Sequence, residues 1–273
     1  MSTSRRRLLK FLSIYLLSIG VLLSCSQVSG ISDNSVNNPD APSSKLIISA
    51  AASLTDVMEA LQPIYQAQQP VAKSAYNFGS SGSLQQQIEQ GAPVDVFISA
   101  APKQMDALEQ KGLILAETRQ NLLTNQVVLI VPGNSTNIQS FNDLTQNKVG
   151  KIAIADPDSA PAGKYAKEVL DTLKIFDQVQ SNIVYAKDVR QVLSYVETGN
   201  VDAGIVYRTD AANSSKVTVV TAAPEGSHTP IVYPLAVIQD STNPEASQEF
   251  ITFLSSPEAK VVFEQFGFKL SNQ

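Results

Sequence analysis

Four short segments put a small or hydroxyl-bearing residue where a strand should end and a helix begin. They are Ala50-Ala51-Ala52-Ser53-Leu54-Thr55-Asp56, Gly79-Ser80-Ser81-Gly82-Ser83-Leu84, Pro161-Ala162-Gly163-Lys164-Tyr165-Ala166 and Lys187-Asp188-Val189-Arg190-Gln191. Each offers backbone N–H groups, and the first two add serine hydroxyls. The first turn of a helix carries unpaired N–H donors and a partial positive charge, so an anion is its natural ligand. One such end is an ordinary helix cap. A set of them points to a small oxyanion held by neutral donors rather than by formal positive charge.

Alternating strand and helix patterns are what would position these ends. Lys45 to Ala52 is an apolar run, and Leu54, Val57, Met58, Leu61 and Tyr65 then repeat at helical spacing through Gln68. Further strands are expected at Val71–Phe78, Val94–Ser99, Gln126–Val131, Lys151–Ala155, Ile183–Tyr185, Asp202–Tyr207, Val217–Thr221 and Ile231–Ile238. Helices are expected at Ser83–Gln90, from Pro102, at Ala162–Leu173, Val189–Thr198, Glu245–Leu254 and Pro257–Phe266. This alternation predicts an α/β protein built from parallel βαβ units, with ligands at the carboxyl ends of the strands. Loop chemistry suggests a crossing near Thr124 and Asn125 and a return near Thr229 and Pro230. The expected lobes are 45–124 with 230–273, and 125–229.

The first 25 residues read as an export signal. Arg5, Arg6, Arg7 and Lys10 make a basic start, and Phe11 to Leu23 is apolar but too short for a stable span. Leu22-Leu23-Ser24-Cys25 resembles the lipobox of bacterial lipoproteins, which makes Cys25 the expected lipidated first residue of the mature chain. Ser4-Arg5-Arg6-Arg7-Leu8-Leu9-Lys10 also resembles, more weakly, a twin-arginine export motif. Residues 26–44 are rich in Ser, Asn, Asp and Pro and read as a flexible tether. The expected location is therefore the periplasm or cell surface, with a lipid anchor. Cys25 is the only cysteine, so a monomer can form no disulfide.

The full chain carries 20 basic and 25 acidic residues. Without the four basic residues of the signal the excess of acid deepens, and no basic cluster remains for a nucleic acid. The same excess repels anions at long range, so an anion site here must work through local dipoles. One histidine and one lipid-destined cysteine leave no zinc or copper cluster.

In this order the four segments resemble the periplasmic molybdate-binding proteins of ABC importers. The likeness extends to Gln87-Ile88-Glu89-Gln90-Gly91-Ala92-Pro93-Val94-Asp95-Val96-Phe97-Ile98-Ser99-Ala100, to Asp156-Pro157, and to Gly204-Ile205-Val206-Tyr207-Arg208-Thr209-Asp210-Ala211. It spans Lys45 to Phe268. The resemblance implies a two-lobed type II solute-binding fold, each lobe a mostly parallel sheet flanked by helices, with molybdate or tungstate in the cleft. It implies delivery to an ABC permease, no cofactor, no enzymatic activity and a monomeric chain. Carried over residue by residue, it implies ligand contacts from Ser53 and Ser81 through hydroxyl and N–H, from the N–H groups of Ala162 and Val189, and from the phenol of Tyr207. Molybdenum would be held through its oxo groups, without direct protein ligands. Asp188 is expected to cap its helix rather than face a dianion.

A tetrahedral dianion that is fully deprotonated only accepts hydrogen bonds, and each bond to a charged acceptor contributes about 1.5–3 kcal/mol. Monohydrogen phosphate carries a proton and would want an acceptor. Sulfate is a fully deprotonated tetrahedron too, so a sulfate-binding protein remains the alternative. A secreted hydrolase is the rival of another class. Gly79-Ser80-Ser81-Gly82-Ser83 looks like a nucleophile elbow, but its last position is Ser instead of Gly. The sole histidine, His228, lies in an expected loop, and Asp95, Asp156 and Asp158 fall in a strand and a turn.

Overall fold

A computed structural model of the chain describes residues 45–70, 73–135 and 137–271. The expected signal with Cys25 and the tether lie outside them. The chain opens with β1 (Lys45–Ala51), a 3-10 turn (Ala52–Leu54), α1 (Thr55–Gln68), β2 (Lys73–Gly79), α2 (Ser81–Glu89), β3 (Val96–Ile98) and α3 (Pro102–Gln110). β4 (Gln120–Thr124) ends this first section, and β10 (Val232–Val237), α8 (Pro244–Leu254), α9 (Pro257–Gln265) and β11 (Lys269–Leu270) complete it from the far end of the chain. Between them come β5 (Val127–Pro132), β6 (Ile152–Ala155), α4 (Pro161–Thr172), α5 (Phe176–Val179), β7 (Ile183–Ala186), α6 (Val189–Glu197), β8 (Ala203–Tyr207), α7 (Arg208–Ala212) and β9 (Val217–Ala222).

Two sheets result, in strand order β11-β4-β10-β3-β1-β2 and β7-β6-β8-β5-β9. The chain passes from the first to the second between Thr124 and Val127, and returns between Ala222 and Val232. β1 is parallel to β2 and β3, and β6 is parallel to β7 and β8. Both sheets are mixed, with more antiparallel pairing than the strand–helix alternation suggested. β10 runs antiparallel to β3 and β4, β11 to β4, and β5 to β8 and β9. The antiparallel strands include β4 and β5, which carry the chain between the sheets through a two-residue connection.

The central parallel strands are apolar on both faces because helices cover both. On one face of the first sheet, α1 buries Val57, Met58, Leu61 and Tyr65 along one stripe, each side chain contributing about 2 kcal/mol. Tyr65 meets Phe250 and Phe253 of α8 at 5.1 Å between ring centroids. On the other face Leu84 and Ile88 of α2 and Met105 and Leu108 of α3 close over Phe97 of β3. In the second sheet α4 lies close against the end of β6. A Cβ on Gly163 would sit 2.1 Å from the Ala155 carbonyl oxygen, so only glycine permits that approach.

The element boundaries differ from expectation most at β3, which is trimmed from Val94–Ser99 to Val96–Ile98, and at α2, which starts at Ser81 rather than Ser83. Ser80 stays extended at φ −65° and ψ 140°, and its hydroxyl accepts the Ser83 N–H. Ser80 is thus the cap and Ser81 the first helical residue. Strands β4 and β11 and helices α5 and α7 were not anticipated. They are short, and two-residue or five-residue segments carry no usable period.

Candidate functional site

All five residues expected to contact the ligand, Ser53, Ser81, Ala162, Val189 and Tyr207, line one buried cavity of about 20 Å³. Each arrives from a different element. Ser53 sits in the 3-10 turn after β1, Ser81 opens α2, Ala162 follows Pro161 in the first turn of α4, Val189 opens α6, and Tyr207 ends β8. First-turn N–H groups have no acceptor within their own helix, so several helix starts aim unpaired donors at this space.

The side chains add donors whose direction is fixed by their neighbours. Ser81 Oγ accepts the Ala100 N–H at 2.9 Å, which leaves its own proton free for the cavity. Tyr207 is buried, and its hydroxyl has no hydrogen-bond partner among the described residues. Burial, helped by the phenols of Tyr233 and Tyr165 and the carboxyl of Asp210, holds the Tyr207 pKa well above the usual value. It therefore keeps a proton to donate. Ser53 Oγ lies 2.9 Å from Tyr233 Oη. Asp188 also lines the cavity, but its Oδ1 accepts the Gln191 N–H at 2.9 Å as the cap of α6.

Two contacts join the sheets beside the cavity. Arg190 of α6 grips Asp56 of α1 with both terminal nitrogens, at 2.8 and 3.0 Å. Such a fork-on-carboxylate pair is directional, and it neutralises Arg190 beside the site. The Gly82 N–H donates to the Ser159 carbonyl at 3.0 Å. A Cβ on Gly82 would stand 2.4 Å from that oxygen, so the close approach requires glycine.

The groups weighed for catalysis are engaged elsewhere. His228 packs edge-on to Tyr165 at 5.8 Å and bonds through Nδ1 to the Thr229 carbonyl at 2.7 Å. Asp95 ties three segments together, accepting from the Ile47 N–H, Ser241 Oγ and Asn243 Nδ2. Asp156 closes its own turn on the Asp158 N–H and the Ser159 hydroxyl. Sequence reasoning missed Tyr233 and the bonding role of Asn125. Tyr233 lay inside an apolar strand pattern that says nothing of where a phenol points, and only the crossing at Asn125 was a signal.

A family model described as bacterial extracellular solute-binding protein matches residues 46–269. A Bacillus subtilis protein with the provisional name ABC transporter substrate-binding lipoprotein YvgL is 44% identical over 255 residues, covering 93% of this chain and 97% of that one. The molybdate-binding protein ModA of Haemophilus influenzae is 38% identical over 232 residues, covering 84% and 91%. The structure of the Azotobacter vinelandii periplasmic molybdate-binding protein superposes with a TM-score of 0.76 at 25% identity, covering 83% of this chain and 100% of that one.

Proposed function

From the premise that this chain belongs to the bacterial extracellular solute-binding protein family, we propose that it binds molybdate, and tungstate equally in kind, and delivers it to an ABC import permease. Members of the family bind and present solutes, and the chain is not an enzyme. The observation that carries the ligand assignment is the meeting of five donors in one small cavity whose lining carboxylate, Asp188, is engaged as a helix cap. Ser53, Ser81, Ala162, Val189 and Tyr207 meet there and every one can donate. A fully deprotonated tetrahedral dianion needs donors alone, and low local dielectric strengthens each bond to it. The two sheets act as lobes, 45–124 with 230–273 and 125–229, that close on the anion as a monomer.

Calorimetric titration of the purified protein with molybdate, tungstate, sulfate and phosphate tests this reading. Molybdate and tungstate should bind far more tightly than sulfate, and phosphate should give little response. Equal affinity for sulfate and molybdate overturns the assignment.

The export reading extends to the membrane. The protein acts outside the cytoplasm, tethered by a lipid on Cys25, as the lipobox resemblance supports. Metabolic labelling with palmitate should mark the wild-type protein and be abolished in Cys25→Ser. An unlabelled wild type would mean a free protein.

A further inference from the structure

The cavity's two serines differ in how their protons are directed. Ser81 is oriented by a backbone N–H, which can only donate. Ser53 meets a second hydroxyl, Tyr233 Oη, and either oxygen of that pair could be the donor. The direction is decided one residue further out. The Gln126 N–H donates to Asn125 Oδ1 at 2.8 Å, which fixes the amide so that its NH2 group points the other way. That NH2 donates to Thr209 Oγ1 at 2.9 Å and to Tyr233 Oη at 3.2 Å. With the amide hydrogen bound to it, Tyr233 Oη has one good use left for its own proton, which is Ser53 Oγ.

We propose that Tyr233, set by Asn125, is a positioning residue that forces Ser53 to donate to the ligand, and so helps restrict the site to oxyanions that carry no proton. The proposal rests on the oxyanion reading above. The direction of the chain is Asn125 to Tyr233 to Ser53 to the anion, each hydroxyl accepting once and donating once. Tyr233 is fully buried, with its ring held edge-on between Tyr207 at 6.1 Å and Phe268 at 5.8 Å, so the phenol has no freedom to turn to solvent. Burial also raises its pKa, which keeps the proton the relay needs. Without the relay Ser53 could rotate and offer a lone pair, which a protonated oxyanion such as monohydrogen phosphate would use. The relay is assembled at the crossing between the sheets, because Asn125 lies between β4 and β5 and also holds Thr209 of α7.

Two variants of the whole protein separate this from a structural role. Tyr233→Phe keeps the ring and removes the relay's proton. Asn125→Asp reverses the relay: the carboxylate accepts a hydrogen bond from the Tyr233 hydroxyl, Ser53 donates to Tyr233 Oη, and a Ser53 lone pair faces the ligand. Molybdate and monohydrogen phosphate at pH 8 are both dianions, so any added repulsion from the new carboxylate cancels in the ratio of their affinities. The molybdate-to-phosphate ratio, measured by titration and by competition, should fall about tenfold to a hundredfold in both variants, the range of one bond to a charged group. A ratio unchanged in either folded variant overturns the relay, even if absolute affinities drop. A wild type that binds none of the tetrahedral oxyanions overturns the oxyanion reading itself. A wild type that prefers molybdate while both variants keep its ratio overturns the relay alone. Melting of the unliganded variants establishes which are folded, and Asn125, half-buried at the crossing, serves should Tyr233→Phe not fold.

Discussion

Asp210 is fully buried in α7, and neither of its carboxylate oxygens has a hydrogen-bond partner among the described residues. Burial pushes its pKa up to about 8, with the Arg190 guanidinium pulling the other way and the carboxylates of Asp56 and Asp188 adding to the rise. The folded protein therefore holds this proton at neutral pH, and the unfolded chain, with an ordinary aspartate near 3.8, does not. Where the native state binds more protons, stability falls as pH rises. Asp210 should thus support the fold fully below pH 4, and its contribution should decline by about 1.4 kcal/mol per pH unit up to about pH 8. Asp210→Asn removes that slope. Chemical denaturation of the unliganded protein at pH 5, 6, 7 and 8 should show the difference between wild type and variant shifting steadily in the variant's favour. A constant difference across that range would mean that Asp210 is ionised in the folded protein. Neutral Asp210 also spares the neighbouring Tyr207 a negative charge beside the anion it is proposed to bind.

The helix starts were legible in the sequence because their signals are local. Pro at the first turn of α3 and α4, Asp188 three residues before Gln191, and serines flanked by glycines in Gly79 to Ser83 each encode a helix end within a few residues. So the helix starts that carry the site could be placed before any geometry was known, with the start of α2 displaced by two residues, while the individual donors, Tyr207 above all, were named by the family resemblance. What was not legible depends on register between distant segments. Ser53 and Tyr233 are 180 residues apart, and their contact follows from β10 lying beside β3 while β3 lies beside β1. The pair Asp56 with Arg190 is of the same kind, two exposed-looking charges that meet only because α1 and α6 start at one cavity. β11 is two residues long and exists through its pairing with Thr124 and Leu123. Local chemistry writes caps; long-range pairing writes second layers.

Across the whole molecule, the cavity is enclosed only because the two sheets meet around it. Ser53 and Ser81 come with the first sheet, and Ala162, Val189 and Tyr207 with the second, so an anion contacting all five can do so only when the sheets are together. A ligand shifts an equilibrium by its differential affinity for the two states, and donors split between lobes make that difference large. The half-buried pair Arg190–Asp56 and the single bond from Gly82 to Ser159 are the clasps that remain when no anion is bound, fewer than the five donors an anion would engage. The unliganded protein should therefore open, and molybdate should close it. Small-angle scattering should show the radius of gyration falling on saturation. Gly82→Ala provides the internal control, because its added Cβ would lie 2.4 Å from the Ser159 carbonyl oxygen only in the closed arrangement. The variant should melt like wild type without ligand, bind molybdate at least about tenfold more weakly, and contract less at saturation. Contraction of wild type with none in the variant ties closure to the approach of α2 and Ser159. An unchanged radius in wild type at saturating, tight binding would mean that the site is preformed and that the permease must recognise the liganded protein by something other than lobe closure.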